Sequence, residues 1–370
     1  MMIPVVFMLC SGFFHFTLAS NRLRFFSFLQ NDVQWITGKN GCITMNRSLV
    51  TLYDEDDAYF VHKFTESQLG DNKRSWLGLH MSQHNVSTWS SSGHFTSSLP
   101  DVDVTNGQQI CEAIENNTRK GFNCSDRKPF MCYRGSNYTM IEKETKNWCQ
   151  AQHYCRKHFT DLVNVSNETQ NDVIEKGKNE SFWIGVMHDE WEWEDKSCST
   201  YRKWSDNKHN VNSEETCTQE LNLKLYKNKC ENCSPMLCST GTVRIKVIKE
   251  NLTWEQAFDY CKANHSRLLQ IEDAKDQEAV EQWLNISNAG DTFWIGLRQS
   301  RLFGFWIWSD KTVAYNNWKN STIPQMPMSN NCGVIKKDNQ TWSWSDENCF
   351  LPFPFLCEEE ISYMKYKGYQ

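Results

Sequence analysis

The fold is decided by the stretch Cys332–Cys357, which reads CGVIKKDNQTWSWSDENCFLPFPFLC. Its last two cysteines, Cys349 and Cys357, stand eight residues apart. The same interval separates two earlier pairs, Cys124–Cys132 and Cys230–Cys238. A cysteine spacing that occurs three times predicts three copies of one disulfide-bonded module.

Each copy also starts with a tryptophan seven residues before a cysteine, at Trp35–Cys42, Trp148–Cys155 and Trp254–Cys261. The run Thr253–Gln256 has the capping-box pattern that starts a helix. Trp254, Ala257, Phe258 and Cys261 then form one apolar stripe. We therefore divide the chain into a signal peptide at 1–20, domains at 21–134, 135–240 and 241–360, and a tail at 361–370.

The repeat also predicts the disulfides. Within each copy we pair the first and last cysteines, as Cys42–Cys132, Cys155–Cys238 and Cys261–Cys357. The middle cysteines pair as Cys111–Cys124, Cys217–Cys230 and Cys332–Cys349. Cys149, Cys198 and Cys233 remain in the second copy, and we expect Cys149–Cys198. The leftover thiol either links two chains or has no role.

Composition and the N-terminus indicate an oxidising compartment. The chain has 370 residues and 16 cysteines, and its net charge of −6 argues against nucleic-acid binding. The apolar run Val5–Leu18 before Ala19 predicts a cleaved signal peptide, with an uncleaved signal anchor as the alternative. Fourteen glycosylation sequons agree with secretion: Asn46, Asn85, Asn116, Asn123, Asn137, Asn164, Asn167, Asn179, Asn232, Asn251, Asn264, Asn285, Asn320 and Asn339.

Taken together, these landmarks resemble the C-type lectin-like domain family. The resemblance rests on the Trp-x6-Cys helix, on Phe293–Leu297 and its counterparts, on the Trp-x-Trp-Ser-Asp strand Trp342–Asp346, and on the framework cysteines. Tandem copies resemble the macrophage mannose receptor group. The resemblance implies an α+β fold in which each domain has two helices around small antiparallel sheets, a long loop region and two framework disulfides.

Sugar-binding members of that family hold calcium in the long loop, and the resemblance points to the corresponding residues here. A carboxylate–proline–amide triplet is replaced by Ile323-Pro324-Gln325, or in a shifted loop by Met326-Pro327-Met328. Asn330 precedes the third framework cysteine by two residues, and the last triplet is Trp344-Ser345-Asp346. Only Asp346 keeps a carboxylate, so we expect weak or absent calcium binding.

The other two copies fit calcium less well. The first offers Leu99-Pro100-Asp101, Gln109 and Lys120-Gly121-Phe122. The second has Tyr226-Lys227 at the last triplet, where a cation repels calcium. Most tryptophans, such as Trp183, Trp294, Trp306 and Trp344, are predicted core residues. Trp318 and Phe303 are predicted to be exposed, and Glu358-Glu359 is predicted to be a solvated tail.

These patterns predict a secreted, glycosylated recognition protein, and no enzyme motif is present. The first hypothesis is carbohydrate binding by the third domain through Trp318, Gln325, Asn330, Ser345 and Asp346. The second is calcium-independent binding of a protein ligand through the same loops, to which Met326 and Met328 could adapt. The third is a structural or decoy glycoprotein.

Overall fold

The computed structural model describes residues 21–89, 107–165, 173, 175–177, 180–205, 216–300, 302–326 and 328–364, with the side chains of 82–89 outside that description. The signal peptide, the triplet Leu99-Pro100-Asp101, and Asn167 and Asn179 lie outside the described residues. Over the described part of the chain, no helix combines the length and apolar character needed to cross a bilayer.

The helices with defined bounds are α1 (Trp35–Thr44), α2 (Glu55–Leu69), α3 (Trp148–His158), α4 (Trp254–Asn264) and α5 (Ala274–Ser287). The strands are β1 (Phe25–Phe28), β2 (Ser48–Leu49), β3 (Ser75–Trp89), β4 (Ile110–Glu115), β5 (Thr118–Asn123), β6 (Lys128–Arg134), β7 (Asn137–Lys146), β8 (Asp161–Leu162), β9 (Phe182–Trp193), β10 (Thr216–Leu221), β11 (Lys224–Lys229), β12 (Leu237–Thr240), β13 (Val243–Leu252), β14 (Arg267–Leu268), β15 (Thr292–Gln299), β16 (Trp306–Ile307), β17 (Asn331–Asp338), β18 (Thr341–Asn348) and β19 (Phe353–Glu360).

The third unit, residues 243–360, folds on its own strands in the order β13-β19-β15-β17-β18. Its first and last strands pair antiparallel, from Val243 opposite Glu360 onward. The predicted capping box is present, because Thr253 and Gln256 exchange side-chain and backbone hydrogen bonds at the start of α4. Trp254 is buried, and its indole N–H donates to the carbonyl of Ile295 at 2.9 Å. The helix is thereby fixed against core strand β15.

The first two repeats exchange their halves. β1 pairs with β12, so that Phe25 lies opposite Thr240, although β12 ends the second repeat. β6, which ends the first repeat, instead pairs with β7, which begins the second. We name residues 21–81 with 191–240 the outer unit, and residues 107–190 the inner unit. The long strands β3 and β9 pair antiparallel, and β9 runs from the inner unit into the outer unit.

This exchange corrects two predicted disulfides. Cys42 bonds Cys238, and Cys132 bonds Cys155, so the predicted pairs Cys42–Cys132 and Cys155–Cys238 are wrong. The other predicted pairs are present, namely Cys111–Cys124, Cys217–Cys230, Cys261–Cys357, Cys332–Cys349 and Cys149–Cys198. Cys233 is free and exposed. The first two repeats are therefore joined covalently to each other.

A tight hairpin connects the two exchanged repeats. β6 and β7 form a hairpin in which Arg134 lies opposite Asn137, so only Gly135 and Ser136 connect them. Gly135 has a φ of +57°, which glycine adopts without steric cost. The connection between the second and third repeats, Gly241 and Thr242, is equally short, yet β12 and β13 do not pair, so loop length alone does not decide the exchange. The hairpin places Cys132 next to α3 rather than α1.

The outer unit and the third unit share one core. Phe60 of α2 stacks on Trp283 of α5 with ring centroids 4.1 Å apart. The Gln282 amide donates to the carbonyl of Phe26 and accepts from its N–H, both at 2.9 Å. Arg244 pairs with Asp57 at 3.2 Å, and both are buried. The third unit is therefore packed against the N-terminal segment of the chain.

Glu358 and Glu359 belong to this interface, so the prediction that they form a solvated tail is wrong. Glu358 is buried and pairs with Arg22 at 2.7 Å. Burial opposes ionisation of Glu359, but Arg244 and the nearby His265 ring lower the pKa of Glu359 to about 2. β19 thus continues past the last framework cysteine as a paired, charged strand.

A buried carboxyl also connects the first two repeats inside the outer unit. Glu220 of β10 accepts a hydrogen bond from the N–H of Leu223 at 2.9 Å, and its Oε1 lies 3.6 Å from Nδ1 of His62 in α2. Its Oε2 has no hydrogen-bond partner among the described residues. Burial raises the pKa of Glu220 to about 8. Its environment therefore favours the protonated acid.

Candidate functional site

The long loop of the third unit is anchored by tryptophans that the sheet holds in place. Trp306 and Trp318 have ring centroids 4.7 Å apart, and Trp344 lies 5.9 Å from Trp318. The indole N–H of Trp306 donates to the carbonyl of Pro324 at 2.8 Å. The N–H of Trp344 donates to the carbonyl of Asn317, also at 2.8 Å. The loop is thereby tied to β16 and β18.

These contacts leave a cavity of about 470 Å³ between the loop and β16. Most of its walls are aromatic or aliphatic, and the amides of Asn316 and Gln325 add polar groups. Its lining residues are Phe303, Gly304, Phe305, Trp306, Val313, Ala314, Tyr315, Asn316, Trp318, Ile323, Pro324, Gln325 and Met326. The volume falls in the range of small-molecule sites.

The predicted site residues lie in two places, the cavity and the pair Asn330 and Asp346. Gln325 and Trp318 both line the cavity. Gln325 is exposed, but Trp318 is only 5% exposed, so its predicted exposure is wrong. Trp318 packs between Trp306 and Trp344, and sequence spacing could not reveal that packing. Asn330 and Asp346 are brought together, since the N–H of Asn330 donates to Oδ2 of Asp346 at 2.7 Å.

The tryptophans predicted to be core residues are confirmed as buried: Trp183, Trp294, Trp306 and Trp344. Phe303 is 67% exposed, as the sequence predicted, and stacks on Phe305 at 5.5 Å. Sequence reasoning missed Leu302 and Phe305 as exposed side chains. Their signal was Gly304, which has a φ of +74° and turns the chain between the two phenylalanines.

The donor set around Asp346 does not fit a calcium ion. Calcium takes six to eight oxygen ligands, among which carboxylates are prominent. The carboxylate of Asp346 already accepts the N–H of Asn330, Ser345 lies one residue before it on β18, and Ile323 replaces an oxygen ligand by an aliphatic chain. Within the described ranges, no three His, Cys, Asp or Glu side chains are grouped to hold a metal ion.

The corresponding loop positions of the first two repeats are used differently. In the inner unit, Gln109 is buried, and its amide donates to Asp189 at 3.0 Å and to the carbonyl of Ser199 at 3.2 Å. Lys128 lies over Phe122 at 3.6 Å. In the outer unit, Lys227 lies over the rings of two tryptophans. Amide, aromatic and cationic side chains therefore occupy the loop positions of the first two repeats.

Comparison with known proteins agrees with the fold. A family model described as the Lectin C-type domain matches residues 31–134, 144–240 and 250–359. C-type mannose receptor 2 of Homo sapiens is 30% identical over 113 residues, covering 30% of this chain and 7% of that protein. Secretory phospholipase A2 receptor of Homo sapiens is 22% identical over 278 residues, covering 63% of this chain and 18% of that protein.

Among solved structures, human lithostathine aligns with a TM-score of 0.30 at 22% identity, covering 32% of this chain and 92% of that one. The match to each of the two receptors, by contrast, spans less than a fifth of the receptor's length.

Proposed function

The chain belongs to the C-type lectin domain family, and from this membership we propose that it is a secreted, non-enzymatic recognition protein. Its first proposed ligand is a carbohydrate, bound in the loop cavity of the third unit with little or no dependence on calcium. The observation that carries the proposal is the cavity itself. It has aromatic walls and two amide groups where calcium-binding relatives of the fold would need carboxylates.

The chemistry of the cavity supports a sugar ring. Aromatic side chains such as Phe303, Phe305 and Tyr315 offer apolar faces for the C–H side of a pyranose. The amides of Asn316 and Gln325 can donate to and accept from its hydroxyl groups. One of the two receptor relatives is named for mannose, which is consistent with a sugar ligand.

A protein ligand is the second candidate, because the rim of the same cavity is unusually apolar. Large apolar side chains are exposed along one loop region: Leu302, Phe303, Phe305, Ile323, Met326 and Met328. Met328 is 88% exposed. Contiguous exposed apolar side chains are typical of protein-interaction surfaces, and methionine adapts to varied partners. The other receptor relative is named for a protein, secretory phospholipase A2.

Binding of the full secreted chain to a glycan array, with calcium and with chelator, tests the first candidate. We expect binding that chelator leaves unchanged and that Gln325→Ala weakens about tenfold, the effect of losing one or two ligand hydrogen bonds. Phe303→Ala should also weaken binding, because Phe303 lines the cavity. Phe350→Ala is its matched control, because Phe350 is also exposed but lies on the turn between β18 and β19.

The outcomes separate the candidates. Glycan binding that needs calcium would overturn the calcium-independent site, and isothermal titration with calcium alone would show the affinity directly. A chain that binds no glycan but captures a protein through Phe303 supports the second candidate. A chain that binds neither supports the structural or decoy alternative.

Secretion and glycosylation are part of the proposal. The apolar N-terminal run and the sequons support it, and most described sequon asparagines are exposed: Asn46, Asn116, Asn123, Asn137, Asn232, Asn251, Asn264, Asn285, Asn320 and Asn339. Asn164 is half-buried. N-terminal sequencing of the protein from culture medium should start near Ser20, and a retained residue 1 would indicate an uncleaved anchor.

A disulfide-linked dimer through Cys233 is a further part of the proposal, since this thiol is free and exposed. It lies between Asn232 and Ser234, within a sequon, so a glycan on Asn232 would stand beside it. A dimer band on a non-reducing gel should vanish in Cys233→Ser. A band that persists in the variant would refute the bridge.

A further inference from the structure

The outer unit carries a lysine at the position where the third unit carries its remaining acidic residue. Lys227 lies opposite the residue that follows Cys217, and Asp346 lies opposite the residue that follows Cys332. Both cysteine-bearing strands begin the same hairpin, β10–β11 and β17–β18. Because side chains alternate along a strand, equal register places Lys227 and Asp346 on the same side of their hairpins. In the outer unit, Lys227 therefore takes the position that Asp346 has in the third unit.

The rings of two tryptophans, Trp191 on β9 and Trp204 beyond it, lie near the ammonium group. Nζ of Lys227 lies 5.4 Å from the ring centroid of Trp191 and 5.1 Å from that of Trp204. The indole N–H of Trp204 donates to the carbonyl of Gly107 at 2.7 Å, which fixes the orientation of this ring. Trp191 is buried and Trp204 is partly buried. The cation is thus positioned by ring faces rather than by a carboxylate.

The charge of Lys227 and the indole N–H of Trp191 both lack a partner among the described residues. Among the described residues, no carboxylate lies within ion-pair distance of Lys227. Burial lowers the pKa of Lys227, and Glu190 only partly opposes that effect. The buried indole N–H of Trp191 also finds no acceptor among the described residues. A partly desolvated cation beside an unpaired donor gains most from an anion that carries its own acceptors.

We propose that Lys227, Trp191 and Trp204 form a calcium-independent binding site for an acidic sugar. The ammonium group pairs with a carboxylate or sulfate on the sugar, while Trp191 and Trp204, whose ring centroids lie 4.8 Å apart, hold that group in place. This site lies in the outer unit and does not depend on the sugar cavity of the third unit. It would give the chain a preference for charged glycans that calcium removal leaves intact.

Binding of the full chain to single sugars in chelator tests the proposal. The probes are N-acetylneuraminic acid and glucuronic acid for a carboxylate, and galactose 3-sulfate for a sulfate. The methyl esters of N-acetylneuraminic acid and of glucuronic acid, and unsulfated galactose, are their neutral counterparts. We expect at least one acidic probe to bind about tenfold more tightly than its neutral counterpart, with affinity falling as salt is raised.

Three variants separate a binding role from a structural one. Lys227→Met keeps an unbranched apolar chain over the indoles but removes the charge, and should lose that preference about tenfold. Lys227→Arg should keep it. Lys229→Met is the control, because Lys229 is an exposed lysine two residues further along the same strand, and this variant should keep the preference for acidic sugars. Thermal melting of each variant verifies that it is folded.

Equal binding of acidic and neutral probes, or full affinity in Lys227→Met, would overturn the proposal, as would a parent chain that binds no acidic probe. The third unit supplies an independent readout. Gln325→Ala should leave acidic-sugar binding intact, and Lys227→Met should leave glycan binding by the third unit intact. Failure of one site is therefore distinguishable from failure of the other.

Discussion

The exchanged disulfides can be tested by removing cysteines in pairs. In Cys132→Ser/Cys155→Ser, one whole disulfide disappears and no thiol is left behind. In Cys42→Ser/Cys132→Ser, two different disulfides are broken, so Cys155 and Cys238 each lose a partner. Thiol titration of the denatured chains should show no increase over the parent in the first variant. It should show two additional thiols per chain in the second.

The loop sizes give the expected loss of stability. Cys132–Cys155 closes a loop with a sequence separation of 23, and Cys42–Cys238 one of 196. In the chain-entropy treatment, removing the first costs about 3 kcal/mol and removing the second about 5 kcal/mol. Denaturant unfolding of Cys132→Ser/Cys155→Ser and of Cys42→Ser/Cys238→Ser should follow that order, with the second variant less stable.

The opposite thiol counts would refute the exchange. If each repeat closed on itself, Cys42→Ser/Cys132→Ser would leave no new thiol and Cys132→Ser/Cys155→Ser would leave two. The comparison is made between variants of equal cysteine content, so the free thiol of Cys233 contributes equally to both. Peptide mapping without reduction provides a second readout, because the exchange joins peptides of different repeats.

Other perturbations follow from the packing and charges described above. The folded state raises the pKa of Glu220 to about 8 from 4.5, so its contribution to stability is full below about pH 4.5 and is lost as pH rises through 8. Glu220→Gln should remove a pH dependence of the unfolding free energy of up to about 1.4 kcal/mol per pH unit in that window. Denaturant unfolding of both chains at pH 5 and pH 8 measures this dependence, and an equal change of unfolding free energy in the two chains would contradict the prediction. Trp283→Ala should cost about 3 to 5 kcal/mol, since the ring packs on the outer unit, and thermal melting within a degree of the parent would argue against a shared core. Gly241→Ala should cost clearly more unfolding free energy than the ~1 kcal/mol expected for Gly135→Ala. An added Cβ would lie 2.3 Å from the carbonyl oxygen of Leu23 at Gly241, whereas at Gly135 it would meet no atom within 4 Å. Similar losses of the two variants in denaturant unfolding would contradict that reasoning.

Features that depend on neighbouring residues could be predicted from the sequence. The capping box of Thr253 and Gln256 forms as predicted, because both partners lie within one helical turn. Trp254, Ala257 and Cys261 are buried on one side of α4, as their spacing predicted. Such patterns report local periodicity, and local periodicity survives whichever strands later pair.

The exchange of the first two repeats could not be predicted in this way. Cys42 lies at the same place in its repeat as Cys155, and Cys132 at the same place as Cys238. Spacing therefore fits pairing within a repeat and pairing between repeats equally well. The two-residue connections at Gly135 and Gly241 are alike in the sequence, yet only the first forms a hairpin between repeats, so no local pattern identifies the exchange.

The candidate site shows the same division between local and tertiary information. Asp346 could be placed from its distance to Cys349, and register then identifies Lys227 as its counterpart. The burial of Trp318 could not be foreseen, because it follows from contact with Trp306 across the loop. An aromatic residue in a loop is consistent with either a binding face or a packing face, and only the tertiary contact distinguishes them.

The exchange also decides how binding can be assigned to parts of this chain. A chain ending at residue 134 would leave β1 without β12, and one starting at 135 would leave β7 without β6. Lys227 belongs to the second repeat by sequence but stands in a unit whose helices α1 and α2 come from the first. Loss of binding after excision of one repeat would therefore report unfolding of two units. Substitutions in the full chain, such as Lys227→Met and Gln325→Ala, alter one site at a time and so can assign a ligand to its unit.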